Sequence, residues 1–195
     1  MAKKSTASIK ENAIKAALEL AVEKGWENTS LSDVARRAKI ELSELHEIFE
    51  DRHDILSAYG RIVDRKVLEN IGDPDESLSP RECLFDLLME RYDVLNEDRQ
   101  AICSILKSFC FDPKQAIISL PHLGRSMSWM LEASNIETSG YKGALKIFGL
   151  LAIYLKTLRV WRMDDSNDLA KTMAELDKNL SHAEKWSETL GLSSN

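Results

Sequence analysis

The sequence has few of the residues that interrupt helices or build disulfide frameworks. Its 195 residues include four prolines, eight glycines and three cysteines. No β-branched run alternates with polar residues, and together with the few helix breakers this pattern favours an all-α chain. The cysteines, Cys83, Cys103 and Cys110, form no CxxC pair, and their odd number argues against a disulfide framework. We therefore expect reduced thiols in a cytoplasmic protein.

Other absences limit the possible functions. The four histidines are dispersed, no cysteine and histidine have metal-ligand spacing, and no glycine-rich phosphate loop is present. The sequence therefore predicts no catalytic site, no metal and no cofactor, and we expect a protein that is not an enzyme. The basic start, MAKKSTASIK, is followed by no apolar segment, which weighs against secretion. The apolar stretch at residues 147–155 has nine residues, too few to span a bilayer.

The composition is that of a folded globular protein, and its charge is unevenly distributed. Hydrophobic residues make up 44% and charged residues 30%, with a net charge of −6. Residues 1–40 hold eight basic and five acidic side chains, whereas residues 41–60 hold one basic and six acidic. The overall charge weighs against nucleic-acid binding, but the first forty residues do not share it.

Residues 29–56, TSLSDVARRAKIELSELHEIFEDRHDIL, are typical of a helix-turn-helix followed by a third helix. Ser30 and Asp33 have the spacing of a capping box at the start of the first helix. Ile40 falls in the turn between the helices. The second helix has an apolar stripe at helical spacing, formed by Leu42, Leu45, Ile48 and Phe49.

The outward positions of that second helix are acidic. They are Glu41, Glu44, Glu47 and Glu50. In helix-turn-helix proteins the second helix enters the DNA major groove, where a carboxylate is repelled by the nearby phosphates. One glutamate can accept a hydrogen bond from cytosine N4, but four acids conflict with DNA binding.

The rest of the chain predicts further helices. A first helix over residues 8–24 ends at Gly25, taken as a left-handed stop, and Trp26 is expected in the core. Residues 72–80 form a loop, and the helix at residues 113–133 is expected to be interrupted or kinked at Pro121. Two long helices, 139–163 and 167–190, close the chain. The first is apolar all round at residues 147–155, so we expect its own core and a partner subunit to cover it.

The residues of the helix-turn-helix carry a resemblance to a known family. Thr29, Val34, Ala35, Ala38, Phe49 and Leu56 match the pattern of the N-terminal DNA-binding domain of TetR-family regulators, and Arg52 stands at the family's phosphate-binding lysine position. The chain departs from this pattern in three places. Lys39 replaces a glycine in the turn, His46 replaces a phosphate-contacting tyrosine, and Glu44 stands at a position that often contacts bases.

The resemblance implies a TetR-like all-α fold in a transcriptional regulator. A three-helix head at residues 1–52 would bind operator DNA, and a larger helical body at residues 53–195 would dimerise and bind a small apolar ligand. The implied DNA-binding residues are Lys3, Lys4, Arg36, Arg37, Lys39, Glu44, His46 and Arg52. The expected ligand-binding residues are Tyr59, Phe85, Leu88, Tyr92, Ile102, Leu106, Phe109, Met127, Trp129, Met130 and Phe148. The expected homodimer interface consists of Phe148, Leu151, Tyr154, Leu155, Leu158, Trp161, Met173, Leu176 and Leu180.

A second resemblance keeps an alternative open. Residues 160–166, VWRMDDS, with Thr172, Met173 and residues 176–178, are similar to the last two helices of the lipid-binding accessory protein of ubiquinone biosynthesis. That family shares the TetR fold without reading DNA, so this resemblance implies a lipid or isoprenoid ligand. The amphipathic membrane-docking helix expected of that family is not evident after Leu190. The turn between two interface helices also explains the same residues.

Overall fold

The computed structural model describes residues 6–72, 77–111 and 113–189. Within these ranges it contains nine α-helices, one short 3-10 helix at Trp26–Asn28 and no strand, which confirms the predicted all-α class. The helices are α1 Thr6–Lys24, α2 Leu31–Ala38, α3 Leu42–His46, α4 Arg52–Ile71, α5 Pro80–Glu97, α6 Arg99–Phe111, α7 Pro113–Ala133, α8 Gly140–Trp161 and α9 Ala170–Thr189. No helix in the described ranges is both long and apolar enough to cross a membrane.

Contacts divide the chain into two compact units. The first unit comprises residues up to Val63 together with Leu95–His122, and the second comprises Asp64–Val94 and the residues from Leu123 onward. Helices α4, α5 and α7 therefore contribute residues to both units. The expected boundary between residues 52 and 53 stays a prediction, because these units are defined by contacts and not by function.

The first unit is built around α1. This helix buries Ile9, Ala13 and Leu20 and packs against α2 and α6. The hydroxyl of Ser104 in α6 donates a hydrogen bond of 2.6 Å to the carbonyl of Ala21. Trp26 has no exposed surface, which confirms the expected core position.

Two details of the first unit differ from the sequence prediction. Gly25 has a φ of 86° and a ψ of 146°, so its φ is positive but the residue lies outside the left-handed helical region. Helix α7 continues without a break through Pro121, so the predicted interruption is wrong, whereas a kink there stays a prediction. Proline removes one backbone donor, but the neighbouring turns still form their own hydrogen bonds.

The second unit contains the packed pair α8 and α9. Helix α8 buries one face, which includes Leu150, Tyr154 and Trp161. Its opposite face leaves Tyr141 and Phe148 exposed. Helix α8 is thus covered on one side within the single chain and has an uncovered apolar face on the other.

The turn from α8 to α9 is organised by Asp164, of which only 1% is exposed. Its carboxylate accepts hydrogen bonds from the hydroxyl of Ser166 and, at 2.8 Å each, from the backbone and hydroxyl of Thr172. The Ser166 hydroxyl in turn accepts from the backbone of Ala170 at 3.1 Å, so the last helix begins at Ala170 and not at the predicted residue 167. Turn chemistry therefore accounts for the Asp164–Ser166 segment of the second resemblance.

Candidate functional site

The helix-turn-helix is held by local hydrogen bonds at both ends of α2. The Ser30 hydroxyl accepts from the Asp33 backbone at 3.2 Å, and the Asp33 carboxylate accepts from the Ser30 backbone at 3.1 Å. These contacts confirm the predicted capping box. At the other end, Lys39 adopts the left-handed conformation, with a φ of 55° and a ψ of 52°. A lysine there costs about 1 kcal/mol relative to glycine, because its Cβ crowds the backbone.

The second helix of the motif is shorter than predicted. Helix α3 has only five residues, and the backbone amides of Ile48 and Phe49 both donate to the carbonyl of Leu45. Leu45 and Phe49 are buried, as expected, but Leu42 is 43% exposed. The prediction that Leu42 belongs to the buried stripe is therefore wrong. Helix α3 is little more than one turn long, and its first residue is not covered by the rest of the head.

The cations of α2 are paired with acids of the same head. The guanidinium of Arg37 contacts Glu23 and lies 3.3 Å from Glu19 on α1. The hydrogen bond from Arg37 holds the pKa of Glu23 below its usual value. Arg36 lies 2.5 Å from Asp33, and most of its side chain is exposed. Arg37 therefore ties α2 to α1, whereas Arg36 extends toward solvent.

Asp33 is the centre of this surface cluster. Its carboxylate lies 2.6 Å from the ammonium of Lys24 and also accepts from Ser30. These two hydrogen bonds, that from Lys24 first, hold the pKa of Asp33 well below its usual range. The carboxylate is thus ionised at neutral pH and offsets the positive charge of α2.

Arg52 lies against the backbone of the turn that precedes α2. Its Nη1 atom donates to the carbonyls of Trp26 at 2.9 Å and of Glu27 and Thr29 at 3.0 Å each. The guanidinium carbon also lies 5.6 Å from the centre of the Trp26 ring. Arg52 therefore fixes the start of α4 to this turn, and its contact with a DNA phosphate stays a prediction.

The solvent-facing side of α3 and its flanks is acidic in the structure as well. Glu41, Glu47 and Glu50 are exposed, and Glu44 is half-buried. Two of the predicted DNA-binding residues, Lys39 and His46, are exposed nearby in sequence. Lys3 and Lys4 lie outside the described residues. The head therefore combines exposed basic groups at the turn with an acidic second helix.

The expected ligand-binding residues are divided between the two units. Tyr59, Ile102, Leu106 and Phe109 belong to the first unit, and the other seven belong to the second. The phenol of Tyr59 donates to Asp98 at 3.0 Å, and that of Tyr92 donates to the carbonyl of Tyr154 at 2.9 Å. Leu88, Met127 and Met130 have no exposed surface. Core packing accounts for these five side chains, and the ligand contacts stay predictions.

The expected dimer residues also divide into two groups. Six of the nine are at most 8% exposed within the single chain, namely Leu151, Tyr154, Leu158, Trp161, Leu176 and Leu180. Only Phe148, Leu155 and Met173 leave large exposed fractions of 68%, 37% and 42%. A partner subunit on α8 and α9 would therefore contact these three and not the six that the chain already covers.

The second unit contains a buried ionic network. The guanidinium of Arg91, which is 4% exposed, contacts the carboxylate of Asp64 and lies 5.5 Å from the ring centre of Tyr154. Asp64 also accepts from the hydroxyl of Ser126 at 2.7 Å. Burial disfavours the charged guanidinium, but the neighbouring Tyr154 and Asp64 outweigh it and raise the pKa of Arg91. This network connects α4, α5, α7 and α8 within one unit.

The second unit also has an open groove of about 750 Å³. Its apolar floor includes Leu84, Leu131, Leu150 and Leu180, each at most 5% exposed. Arg81, Lys146 and Trp186 also line it. None of the eleven expected ligand-binding residues is among the described residues that line this groove.

The sequence contains signals that would have indicated the groove. Trp186 is a large aromatic residue in an otherwise polar stretch of α9, and it is 67% exposed. Gly149 lies within α8, where no turn requires a glycine, and a Cβ added there would meet no atom within 4 Å. Trp186 and Gly149 therefore both line the groove, and each stands out in its part of the sequence.

Comparison with known proteins matches a segment of the head to a family and the whole chain to a known fold. Residues 13–59 match the family model for bacterial regulatory proteins of the tetR family. No curated protein matches the chain in sequence. Among solved structures, a TetR transcriptional regulator from Nitrosomonas europaea is 23% identical, with a TM-score of 0.70 over 90% of this chain and 98% of its own.

Two further solved structures have the same fold. A TetR regulator from Rhodococcus sp. RHA1 is 16% identical, with a TM-score of 0.63 over 91% of this chain and 96% of its own. FadR of Thermus thermophilus, a TetR-family repressor solved in complex with lauroyl-CoA, is 18% identical, with a TM-score of 0.58 over 88% of this chain and 91% of its own.

The all-helical architecture and the capped helix-turn-helix define the class of all-α helix-turn-helix proteins. More narrowly, residues 13–59 match the family model of tetR bacterial regulatory proteins, and the chain as a whole has the fold of solved TetR transcriptional regulators. The resemblance drawn from Thr29, Val34, Ala35 and the other motif residues is thereby confirmed.

Proposed function

We propose that the protein is a dimeric transcriptional regulator whose head binds operator DNA and whose body binds a small apolar ligand. The observation that carries this proposal is the intact helix-turn-helix, with its capping box at Ser30 and its buried Leu45 and Phe49, inside the segment that matches the tetR family. Such a motif places its second helix in the major groove and its flanks on the phosphates.

The proposed DNA contacts differ in the support they have. Arg36 and Lys39 are exposed at the turn, and His46 is exposed on α3. Arg37 and Arg52 are engaged with the head itself, so we assign them mainly to positioning α2 and α4. Glu44 is proposed to accept from a base amino group, since a carboxylate cannot bind a phosphate.

The dimer is proposed to form through the exposed apolar side chains of α8 and α9. Phe148, Leu155 and Met173 supply the uncovered surface. A paired α8–α9 arrangement would place two heads on one DNA duplex, and ligand binding in the body would change their spacing through α4.

A mobility-shift assay with the DNA upstream of the protein's own gene tests DNA binding, with sedimentation velocity confirming the folded dimer. We expect a shift at low salt that weakens as salt rises. Replacing Arg36 with Ala removes an exposed cation at the turn and should weaken binding. Replacing Arg65 with Ala, an exposed arginine of α4 that pairs with Glu69, is the matched control. A folded dimer that shifts no DNA at low salt contradicts the proposal.

The alternative is a TetR-fold protein that binds a lipid or isoprenoid and no longer binds DNA. The acidic surface around α3 and the internal pairing of Arg37 favour it. Native mass spectrometry after gentle purification distinguishes the two functions. A co-purifying lipid together with no DNA binding supports the alternative, whereas an empty body with salt-dependent DNA binding excludes it.

A further inference from the structure

The groove of the second unit has the size and shape of a ligand site. Its volume of about 750 Å³ lies within the range of small-molecule pockets. Its walls come from four helices of one chain, with Leu84 from α5, Leu131 from α7, Leu150 from α8 and Leu180 from α9. A concave apolar surface of this extent favours an apolar chain or ring system.

The groove is also lined by two positively charged hydrogen-bond donors, Arg81 and Lys146. The Nη2 atom of Arg81 donates to Ser181 at 2.8 Å and to Asp177 at 2.5 Å, while Nη1 has no hydrogen-bond acceptor among the described residues. The ammonium of Lys146 makes one long hydrogen bond, 3.3 Å, to the carbonyl of Glu137. Donors thus remain on both groups for a ligand.

The charge of Arg81 is offset by two acids, whereas that of Lys146 is not offset within the described ranges. Glu184 lines the groove and lies 3.7 Å from Arg81, and Asp177 pairs with the same arginine. Lys146 has no carboxylate partner among the described residues. A bound anion would therefore meet Lys146 as an uncompensated cation, with Arg81 held in place beside the apolar floor.

The groove and the uncovered face of α8 overlap at one of the exposed large apolar residues of that helix. Tyr141, Phe148 and Leu155, the exposed apolar residues of that face, do not line it. Leu145 alone lies on both surfaces among the exposed large apolar residues of α8. A partner subunit can therefore cover that face through side chains that the groove does not use.

We propose that this groove binds an amphipathic anion, with its apolar part on the leucine floor and its acidic group at Lys146. This inference names the class of ligand for the proposed regulator. Only the effect of that ligand on DNA binding rests on the proposed function. Binding itself is independent of DNA.

Isothermal titration with three ten-carbon probes, each below its micelle concentration, tests the head-group preference. We expect decanoate to bind about tenfold more tightly than decanol, because a charge-assisted hydrogen bond is lost with the alcohol. Decyltrimethylammonium, which places a cation beside Lys146, should bind more weakly still. Replacing Lys146 with Gln should weaken decanoate about tenfold and leave decanol unchanged. Equal binding of the three probes, or no binding of any, overturns the proposal.

Filling the groove tests its location. A Cβ on Gly149 would meet no atom within 4 Å, so Gly149→Phe is expected to fold and to abolish binding of both decanoate and decanol. Gly124→Phe is the matched control, because Gly124 also has open space around it and does not line the groove. Decanoate binding that is unchanged in Gly149→Phe overturns the site. Equal loss of decanoate binding in Gly149→Phe and Gly124→Phe also overturns it.

The two proposals fail separately. Loss of probe binding with intact DNA binding rejects the groove and leaves the regulator. Probe binding without any DNA binding retains the groove and rejects the regulator.

Discussion

Arginines join helices in both units, but their surroundings differ. In the head, Arg37 pairs with Glu19 and Glu23 on an exposed surface, where water and salt screen the contact. In the second unit, Arg91 is nearly fully buried and meets Asp64 and Tyr154. The same residue type therefore positions helices weakly in one unit and critically in the other, because a buried charge that loses its partner has no water to replace it.

The largest expected effect comes from breaking the buried network. Arg91→Met removes the guanidinium and leaves the Asp64 carboxylate without its cation, so we expect a loss of about 3–5 kcal/mol in the free energy of unfolding. Urea unfolding measures it. A loss no larger than that of Arg37→Met would contradict the contrast between the two units.

The next effect concerns Asp164, a buried acid with local partners. Its hydrogen bonds from Ser166 and Thr172 outweigh the effect of burial and hold its pKa far below the ordinary value of 3.8. Because the folded pKa is depressed, the stabilisation is present above pH 3.8 and is lost as pH falls. Asp164→Asn should cost about 1–3 kcal/mol of unfolding free energy at neutral pH. The amide NH₂ group of Asn would face the donors of Ser166 and Thr172 and could not accept hydrogen bonds from them.

Urea midpoints at pH 6 and at about pH 3 distinguish this contribution. The difference between wild type and Asp164→Asn should shrink at the lower pH. A constant difference would mean that the charge of Asp164 is not what stabilises the turn.

A smaller effect is expected for the cap of the helix-turn-helix. Ser30→Ala removes the acceptor for the Asp33 backbone and should cost about 1 kcal/mol. Ser32→Ala is the control, because Ser32 is exposed within α2 and caps nothing. Equal unfolding free energies for the two variants would argue against the cap.

The smallest effect is expected for Arg37, which is half-buried at the surface of the head. Arg37→Met should change the unfolding free energy by less than about 1 kcal/mol, and less at high salt. Urea unfolding in low and high salt checks this expectation. A large, salt-independent loss would place Arg37 with Arg91 and remove the contrast.

The sequence predicted local features of the fold well and the ligand groove not at all. The Ser30 capping box and the buried Trp26 follow from the chemistry of a few neighbouring residues. The expected pocket residues were chosen for their apolar character, but that character also selects core residues such as Met127 and Met130. The groove depends on four helices that are distant in sequence, so the local signals at Trp186 and Gly149 mark points on its wall but do not reveal how the walls come together.

The partners of charged residues were equally inaccessible to the sequence. Arg37 and Arg52 were expected to contact phosphates because they are arginines near the helix-turn-helix. Their partners in the structure lie 14 and 26 residues away, at Glu23 and Trp26. Spacing within a helix cannot reveal contacts between helices. The acidic character of α3, by contrast, could be predicted from the sequence, because so short a helix has few neighbouring side chains that could pair with its acids.

The central claim, that the head binds DNA despite its acidic second helix, is tested most directly by fluorescence anisotropy with the upstream DNA. Wild type and the double variant Glu44→Gln, Glu47→Gln are titrated across a salt series. We predict saturable, salt-dependent binding by the wild type, and tighter nonspecific binding by the variant because phosphate repulsion is relieved. A folded wild-type dimer that binds no DNA at low salt, with binding appearing only in the variant, would contradict the account.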